Sequence, residues 1–535
     1  VRRASGPRAA FVLLAAGAAV LYLGGLGHFR LFARDEALYA EAGREMLASG
    51  DWITPRVNGG PFFEKPPLYY WLAAASYRAL GVSPFAARLP GALMAIATVL
   101  MTAAIGSRVW GLRAGMLAGV SLATCLQVIV IGRMGIMDVP IMFLTTAALL
   151  VYARWRHRGG LGSAAAFGVL VALGVLTKAL AGALAPLIAA IHMAAHRGRG
   201  RPPWLASALI AVAAFAVVAA PWFIAMGIRH GGEYGSTLFI REHLVRMAQP
   251  MQGHGGPIYT YVGLILLSFF PWIVFTVPAM ASRRLAAGDA QALWHSLAIV
   301  WIAAVLIPFS LVRTKLPGYV TPLFPALALL AGAELDRRLR EQGRAPWVAV
   351  IAGAALLGAF VLILPSVAAR VGERVGASAD ARRLVAPVAV WAAGYGIMAA
   401  AGIMSLGRAS RFSVTALGAG QVVVVGAALI GVLPIVSPYV GGGAAELAEV
   451  AARELRGSQV VLYDTRPETV AFVLQRSVPS FGRDQQDAVR RLLARADTAL
   501  LAPAQAREFL AELPARRSWR AGDRVLLDIP KLPSG

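Results

Sequence analysis

Only four lysines, Lys65, Lys178, Lys315 and Lys531, stand among the 51 basic lysine and arginine residues of this chain. Lysine offers a compact point charge where arginine offers a planar fork, so the few that are kept mark places suited to the smaller cation. Lys65 follows Glu64 and precedes Pro66-Pro67. A proline holds the residue before it extended, and a rigidly held lysine is a common phosphate ligand. A tethered Glu64–Lys65 ion pair is the plainer alternative. Lys315, in Arg313-Thr314-Lys315-Leu316-Pro317-Gly318-Tyr319, repeats the design, unless it only reaches along a helix end. The carboxylates give a second set. Asp35-Glu36 opens a mixed segment after Arg34, where an acidic first turn would also serve simple helix capping. Asp138 opens the apolar run Asp138-Val139-Pro140-Ile141-Met142. That position suits an N-cap, but an ionisable group at a membrane boundary is equally a functional candidate. Further on, Glu242, His243, Arg246 and His254 share one Gly-rich segment.

The elements that must position these groups are apolar. Of 535 residues, 58% are hydrophobic and 15% charged, well below the quarter or so of charged residues in soluble domains. Runs of about 20 apolar residues, each long enough to cross a bilayer as a helix, recur near 9–27, 84–105, 114–131, 139–153, 161–177, 179–195, 204–226, 257–280, 291–312, 318–335, 346–366, 385–407 and 412–436. The expected fold class is a polytopic α-helical membrane protein with about 13 transmembrane helices. The first run reads as a retained helix, because no small-residue cleavage pattern follows it. The net charge of +24 does not argue for nucleic acid, since the arginines fall in short loops between apolar runs. One alternate set of loops is strongly basic, which places it in the cytoplasm. The N-terminus is then expected inside, and the C-terminal tail outside. The single cysteine, Cys125, excludes an internal disulfide framework or thiolate metal site.

On this topology Asp35, Glu36, Glu64, Lys65, Asp138, Lys178 and Lys315 share the outer side with two long loops, 28–83 and 227–256. Loops of such length are usually functional or disordered, and their aromatic content argues for order. The middle of the first loop, with Ala37, Leu38, Ala40, Ala42, Met46 and Leu47 between charges, has helical spacing and reads as an amphipathic helix at the interface. Residues 1–440 form the membrane domain. From residue 441 the character changes: strands at Gln459–Asp464, Thr498–Ala502 and Arg524–Ile529 alternate with helices at Glu468–Leu474 and 484–495, and one more helix lies between the last two strands. This tail, 441–535, is expected to be a small α/β domain on the outer, periplasmic side, either a solvated cap near the site or a structural appendage.

The segment DEALYAEAGREMLASGDWITPRVNGGPFFEKPPLYYWL resembles the first outer loop of the ArnT-like branch of the protein O-mannosyltransferase superfamily, glycosyltransferase family 39. The resemblance continues in order through AARLPGAL, GRMGIMDVPIMFLTT, LGVLTKALAGALAP, PWF, LFIREHLVR and TKLPGYVTPLFPALALL, over about residues 28–330. It implies the GT-C fold and transfer of a sugar from a polyprenyl-phosphate (undecaprenyl-phosphate) donor to an envelope acceptor at the outer face of the bacterial inner membrane. The reaction it most resembles is aminoarabinose transfer to lipid A. Carried over residue by residue, it makes Asp35 and Asp138 the catalytic carboxylates, and Lys65, Arg246, Tyr319 and Lys315 ligands of the lipid phosphate. Glu36, Glu64, Lys178 and Glu242 are supporting groups. Glu64 and His243 match a metal-associated pair, which would make zinc a possible cofactor, with His254 as a third ligand; the donor chemistry itself requires none. Two positions depart from the pattern: Leu38 stands where an arginine is common, and Met247 where an aromatic is usual. They leave the fold and the donor class standing and open the identity of sugar and acceptor. Transfer to protein Ser/Thr is the alternative within the class. A secondary transporter is the alternative outside it, although a transporter's ionisable groups should lie at mid-membrane breaks rather than at outer helix ends. The expected partners are the lipid-linked donor, the acceptor and membrane lipid, with the protein acting as a monomer.

Overall fold

The structure, a computed structural model, describes residues 6–31, 34–196, 204–238, 255–341, 347–375, 383–406, 411–435 and 443–532. Among them, nine helical stretches are long and apolar enough to cross a membrane, and eleven if two bent pairs each count as one span. The thirteen expected runs all fall on helices. The count differs because two of them, 161–177 and 179–195, lie in one stretch, Leu161–Ala195, joined by a short 3-10 turn. A third, Asp138–Arg158, is long enough at 21 residues but carries polar groups at both ends.

Ten helices lie within residues 6–235: α1 (Gly6–Leu23), α2 (Arg34–Ser49), α3 (Leu68–Leu80), α4 (Pro84–Trp110), α5 (Leu112–Ala123), α6 (Leu126–Gly132), α7 (Asp138–Arg158), α8 (Leu161–Lys178), α9 (Leu184–Ala195) and α10 (Trp204–Gly235), the last of which runs into the segment expected as the second long loop. Close helix contacts come from small residues, as expected where neighbouring backbones pack in lipid. A Cβ on Gly106 would lie 2.8 Å from the Gly115 Cα, fixing α4 against α5. The core runs through Tyr22, Tyr69, Trp272, Trp301 and Phe324, all fully buried.

The first outer loop folds as α2, a two-residue hairpin of β1 (Arg56–Val57) with β2 (Gly60–Pro61), and then α3. The expected amphipathic helix is present as α2, but it does not lie on a surface. Residues 36–46 are buried throughout, because α2 is wedged between α3 and the tail domain. Its charges are accommodated internally. Arg44 donates to both oxygens of Glu41 at 2.7 Å, and Glu45 accepts from the Gly59 amide at 3.0 Å.

The tail is a five-stranded mixed sheet in the order β4-β3-β5-β7-β6, built from β3 (Gln459–Tyr463), β4 (Ser480–Phe481), β5 (Thr498–Pro503), β6 (Arg517–Ala521) and β7 (Arg524–Ile529). Strand alternation sends Val460, Leu462, Ala499 and Leu501 into one apolar layer, beneath the helix Ala444–Glu454. Val461, Tyr463, Leu500 and Ala502 go into the other layer, beneath Val489, Leu493 and Phe509. The edge strands β4 and β6 add to the three strands legible in the sequence. The domain seats on the first outer loop: Asn58 and Val478 exchange two hydrogen bonds of 2.9 and 2.7 Å, Arg44 donates to the Gln475 carbonyl at 3.2 Å, and Arg30 makes a bidentate pair with Glu449 at 2.9 and 2.7 Å.

Candidate active site

Asp138 is the first residue of α7, yet it does not cap the helix. The capping position belongs to Met137, with no side-chain cap bond. The Asp138 carboxylate instead accepts from the Lys178 ammonium at 2.8 Å. Lys178 ends α8, where Ala179 takes a positive φ of 44° and the chain turns into the 3-10 segment Ala179–Ala183. That break directs the lysine back toward α7. Both partners are largely withdrawn from solvent, with 17% and 13% of their side-chain surface exposed.

The other wall is the 3-10 segment Pro317–Leu323, which carries Gly318 and Tyr319. Its position is set by Gln127, which donates to the Pro317 carbonyl at 2.8 Å, and by the Tyr261 hydroxyl on the Leu316 carbonyl at 3.1 Å. Gly318 faces Asp138 so closely that a Cβ there would fall 2.5 Å from the carboxylate carbon. The Tyr319 ring lies beneath the Lys178 ammonium, 5.5 Å from its centroid, within cation–π range.

Asp138, Lys178, Gly318 and Tyr319 line two adjoining cavities. One, of about 420 Å³, adds Lys65 and is otherwise walled by apolar residues such as Leu184, Ala304 and Phe309. The other, of about 610 Å³, adds Asp35 and Gln127. A cation and a carboxylate therefore lie at opposite lobes of one site, with the Asp138–Lys178 pair between them.

A buried network behind the site holds the two carboxylate-bearing helices in register. Glu36, fully buried, receives Arg88 in a bidentate pair at 2.7 and 3.0 Å and the Gly135 amide at 2.9 Å. Arg88 also donates to the carbonyls of Leu26, Phe29 and Arg30. Arg133 caps the end of α1 through the Leu21 and Gly24 carbonyls, each at 2.7 Å. Glu36 thus connects the helix that carries Asp35 with the turn before Asp138.

The structure brings together Asp35, Lys65, Asp138, Lys178 and Tyr319 of the residues singled out from sequence. Glu64 is half-buried beside the site, and its carbonyl accepts from the Lys65 ammonium at 3.0 Å. Lys315 faces elsewhere. Its ammonium donates to the carbonyls of Phe309 (3.1 Å), Ser310 (2.6 Å) and Val312, so it caps the C-terminal end of the helix Asp289–Leu311. Arg246, Glu242, His243 and His254 lie outside the described residues. Among the described residues no three His, Cys, Asp or Glu side chains come together as a metal site. The site residues not singled out from sequence are Gly318, Gln127 and Arg88. Arg88 had a signal, being the one charge within the apolar stretch of α4 before its last turn; a membrane-embedded charge needs a partner.

Comparison with known proteins places this geometry. Residues 11–230 match the family model of dolichyl-phosphate-mannose-protein mannosyltransferase. The undecaprenyl phosphate-alpha-4-amino-4-deoxy-L-arabinose arabinosyl transferase of Aeromonas salmonicida is 30% identical over 328 residues, 60% of this chain and 59% of that protein. A Pseudomonas fluorescens protein of that name is 31% identical over 61% and 59% of the two chains. The aligned part thus spans about 59% of the length of these relatives. The crystal structure of ArnT from Cupriavidus metallidurans bound to undecaprenyl phosphate superposes over 96% of this chain and 97% of that one, with a TM-score of 0.81 and 24% identity. The chain has the fold of ArnT. The likeness runs through both the membrane helices and the tail sheet, so the GT-C fold expected from the outer-loop motifs is the one observed. An Archaeoglobus fulgidus oligosaccharyltransferase shares it more distantly, with a TM-score of 0.51 and 12% identity over 94% of this chain and 70% of that one. In this ArnT-like frame Asp35 and Asp138 come from the starts of α2 and α7, and Lys65 and Tyr319 from the walls that face them.

Proposed function

We propose that this chain transfers a sugar from a polyprenyl-phosphate donor, undecaprenyl phosphate in bacteria, to an envelope acceptor at the outer face of the inner membrane. The observation that carries this reading is the Asp138–Lys178 pair shared by two cavities, one holding Lys65 and the other Asp35. A sugar on polyprenyl phosphate already has a good leaving group, so transfer needs no nucleotide outside the cell. In the proposed reaction the lipid phosphate sits in the lobe with Lys65, whose apolar walls suit a polyprenyl chain. An acceptor oxygen attacks the anomeric carbon from the face opposite the phosphate. The new C–O bond forms as the bond to the phosphate oxygen breaks, which inverts the anomeric centre. Lys65 and Lys178 stabilise the charge that collects on the departing phosphate, the usual electrostatic contribution to such steps. The resemblance adds Arg246 to that cradle.

Asp35 takes the proton of a hydroxyl acceptor. For an acceptor that is itself a lipid phosphate, already ionised at neutral pH, it binds a sugar hydroxyl or amine instead. Names of the sequence relatives support aminoarabinose as the sugar, and the resemblance of the outer-loop motifs adds lipid A as the acceptor. The family model supports a second reading, mannosyl transfer to protein Ser/Thr. We further propose a cytoplasmic N-terminus, a periplasmic site and tail domain, and a monomeric enzyme. Zinc at Glu64 and His243 has no part in the proposed step, so chelation should leave turnover within about two-fold of the untreated enzyme.

The test is transfer of labelled sugar from a panel of polyprenyl-phosphate sugars in membranes expressing wild type, Asp35→Asn and Lys65→Ala, with lipid and protein fractions counted separately. Wild type should transfer, and both variants should fall by about 100-fold or more. The fraction that holds the label names the acceptor. Near-normal turnover in Asp35→Asn and Lys65→Ala would remove the mechanism.

A further inference from the structure

A third cavity lies at the other end of the helices that build the site. It is about 460 Å³, is enclosed by α7, α8, α9 and α10, and is walled by apolar side chains such as Phe167, Pro186, Ala189 and Val212. A rise of about 1.5 Å per residue puts Arg156 roughly 27 Å along α7 from Asp138, close to the thickness of a bilayer's hydrocarbon core. Trp204 and Val212, at 58% and 63% exposure, open the cavity toward the surrounding lipid.

Its polar end is cationic. Arg156, His157 and Arg158 are the basic residues of the last turn of α7, and Arg156 and His196 both line the cavity, with no carboxylate in its wall among the described residues. The Arg156 Nε is buried and has no hydrogen-bond partner among the described residues. A buried charged donor left unmade is costly, and a guanidinium matches two oxygens of a phosphate at once. Several other polar groups nearby are already paired. Trp155 donates to Ser207 at 3.0 Å, and His192 is held between Tyr152 at 2.8 Å and Ser296 at 3.1 Å.

We infer that this cavity is a binding site for an anionic phospholipid of the leaflet opposite the active site, with the phosphate on Arg156 and an acyl chain between α8 and α10. The charge decides the occupant: a zwitterionic lipid would bring a second cation to a wall that holds only cationic and neutral groups. The site is independent of the transfer chemistry, so its test does not read turnover.

The experiment is retention of phosphatidylglycerol and phosphatidylcholine of matched chains by the purified full chain in native mass spectrometry. Wild type should retain phosphatidylglycerol about five-fold better, the order expected for one basic contact. Arg156→Gln should abolish that preference, while Arg154→Gln, at an exposed position two residues earlier on α7, should keep it. Ala208→Trp, which fills the cavity from an exposed position on α10, should lower retention of both lipids. Equal retention by wild type, or a preference that survives both Arg156→Gln and Ala208→Trp, overturns the inference. Displacement of phosphatidylglycerol by equimolar inorganic phosphate overturns it as well, because the site would then bind a free anion.

Discussion

At the residue scale, the geometry around Asp138 makes the sharpest demands. Gly318 is required by space rather than by backbone conformation, since a methyl group there would press on the Asp138 carboxylate. Gly318→Ala should therefore rotate that carboxylate away from Lys178 and lower turnover about 100-fold, the usual consequence of an ångström of misplacement. An unchanged unfolding temperature beside that loss would separate positioning from folding. Lys178→Met leaves Asp138 with its partner removed. The expected result is a turnover loss of about 100-fold or more, with kcat falling while retention of the donor lipid changes less. The sequence presented Asp138 with two readings, a cap and a functional group, and spacing alone could not separate them. Only the fold supplies Lys178, 40 residues away, as its partner. Lys315 shows the reverse. Its motif matches that of Lys65, but the carbonyls at the end of one helix take up its ammonium, an outcome set by the local path of the chain after Leu311.

At the scale of elements, α2 determines whether the two carboxylates meet. Glu36→Gln removes one charge from a fully buried bidentate pair and leaves Arg88 uncompensated. Breaking such a pair costs about 3–5 kcal/mol, which should appear as a markedly lower unfolding temperature in detergent, whereas Asp35→Asn should leave that temperature nearly unchanged. The same helix carries a pH-sensitive group. Burial pushes the Glu41 carboxyl up from its ordinary 4.5 to about 7, against the opposing pull of Arg44 and with a further push from Glu45. The folded state therefore holds a proton that the unfolded chain has lost. This contribution to stability is complete below about pH 4.5 and fades as the pH rises through about 7. Glu41→Gln should flatten that slope when unfolding temperature is followed across the window, and an unchanged slope would place the group elsewhere. Helical spacing made α2 legible in the sequence. Its burial was not, because the charges that suggest a wet surface pair with one another and with the loop they face.

At the scale of the whole molecule, the apolar runs revealed the membrane domain, and the alternating strand pattern revealed most of the tail sheet. The two-residue strand β4 and the Arg-rich strand β6 are too short or too polar to show a period. The docking of the tail was illegible for another reason: its contacts join residues more than 400 positions apart, such as Asn58 and Val478. Asn58→Ala removes both hydrogen bonds of that contact and should cost about 1–3 kcal/mol. Hydrogen exchange should quicken in α2 and around β4 together, and quickening in β4 alone would mean that the domain does not brace α2.

The seat of α2 has a consequence in time. The helix that carries Asp35 leaves the ribosome early, but one of its walls, the turn after Leu474, is made more than 400 residues later. Closing a loop of that span is slow and entropically costly. A nascent chain accordingly carries α2 for most of its synthesis with the Glu36–Arg88 network available but without the tail that walls the helix's other side. The tail contacts of α2 therefore form last, after the last strands of the tail have been made.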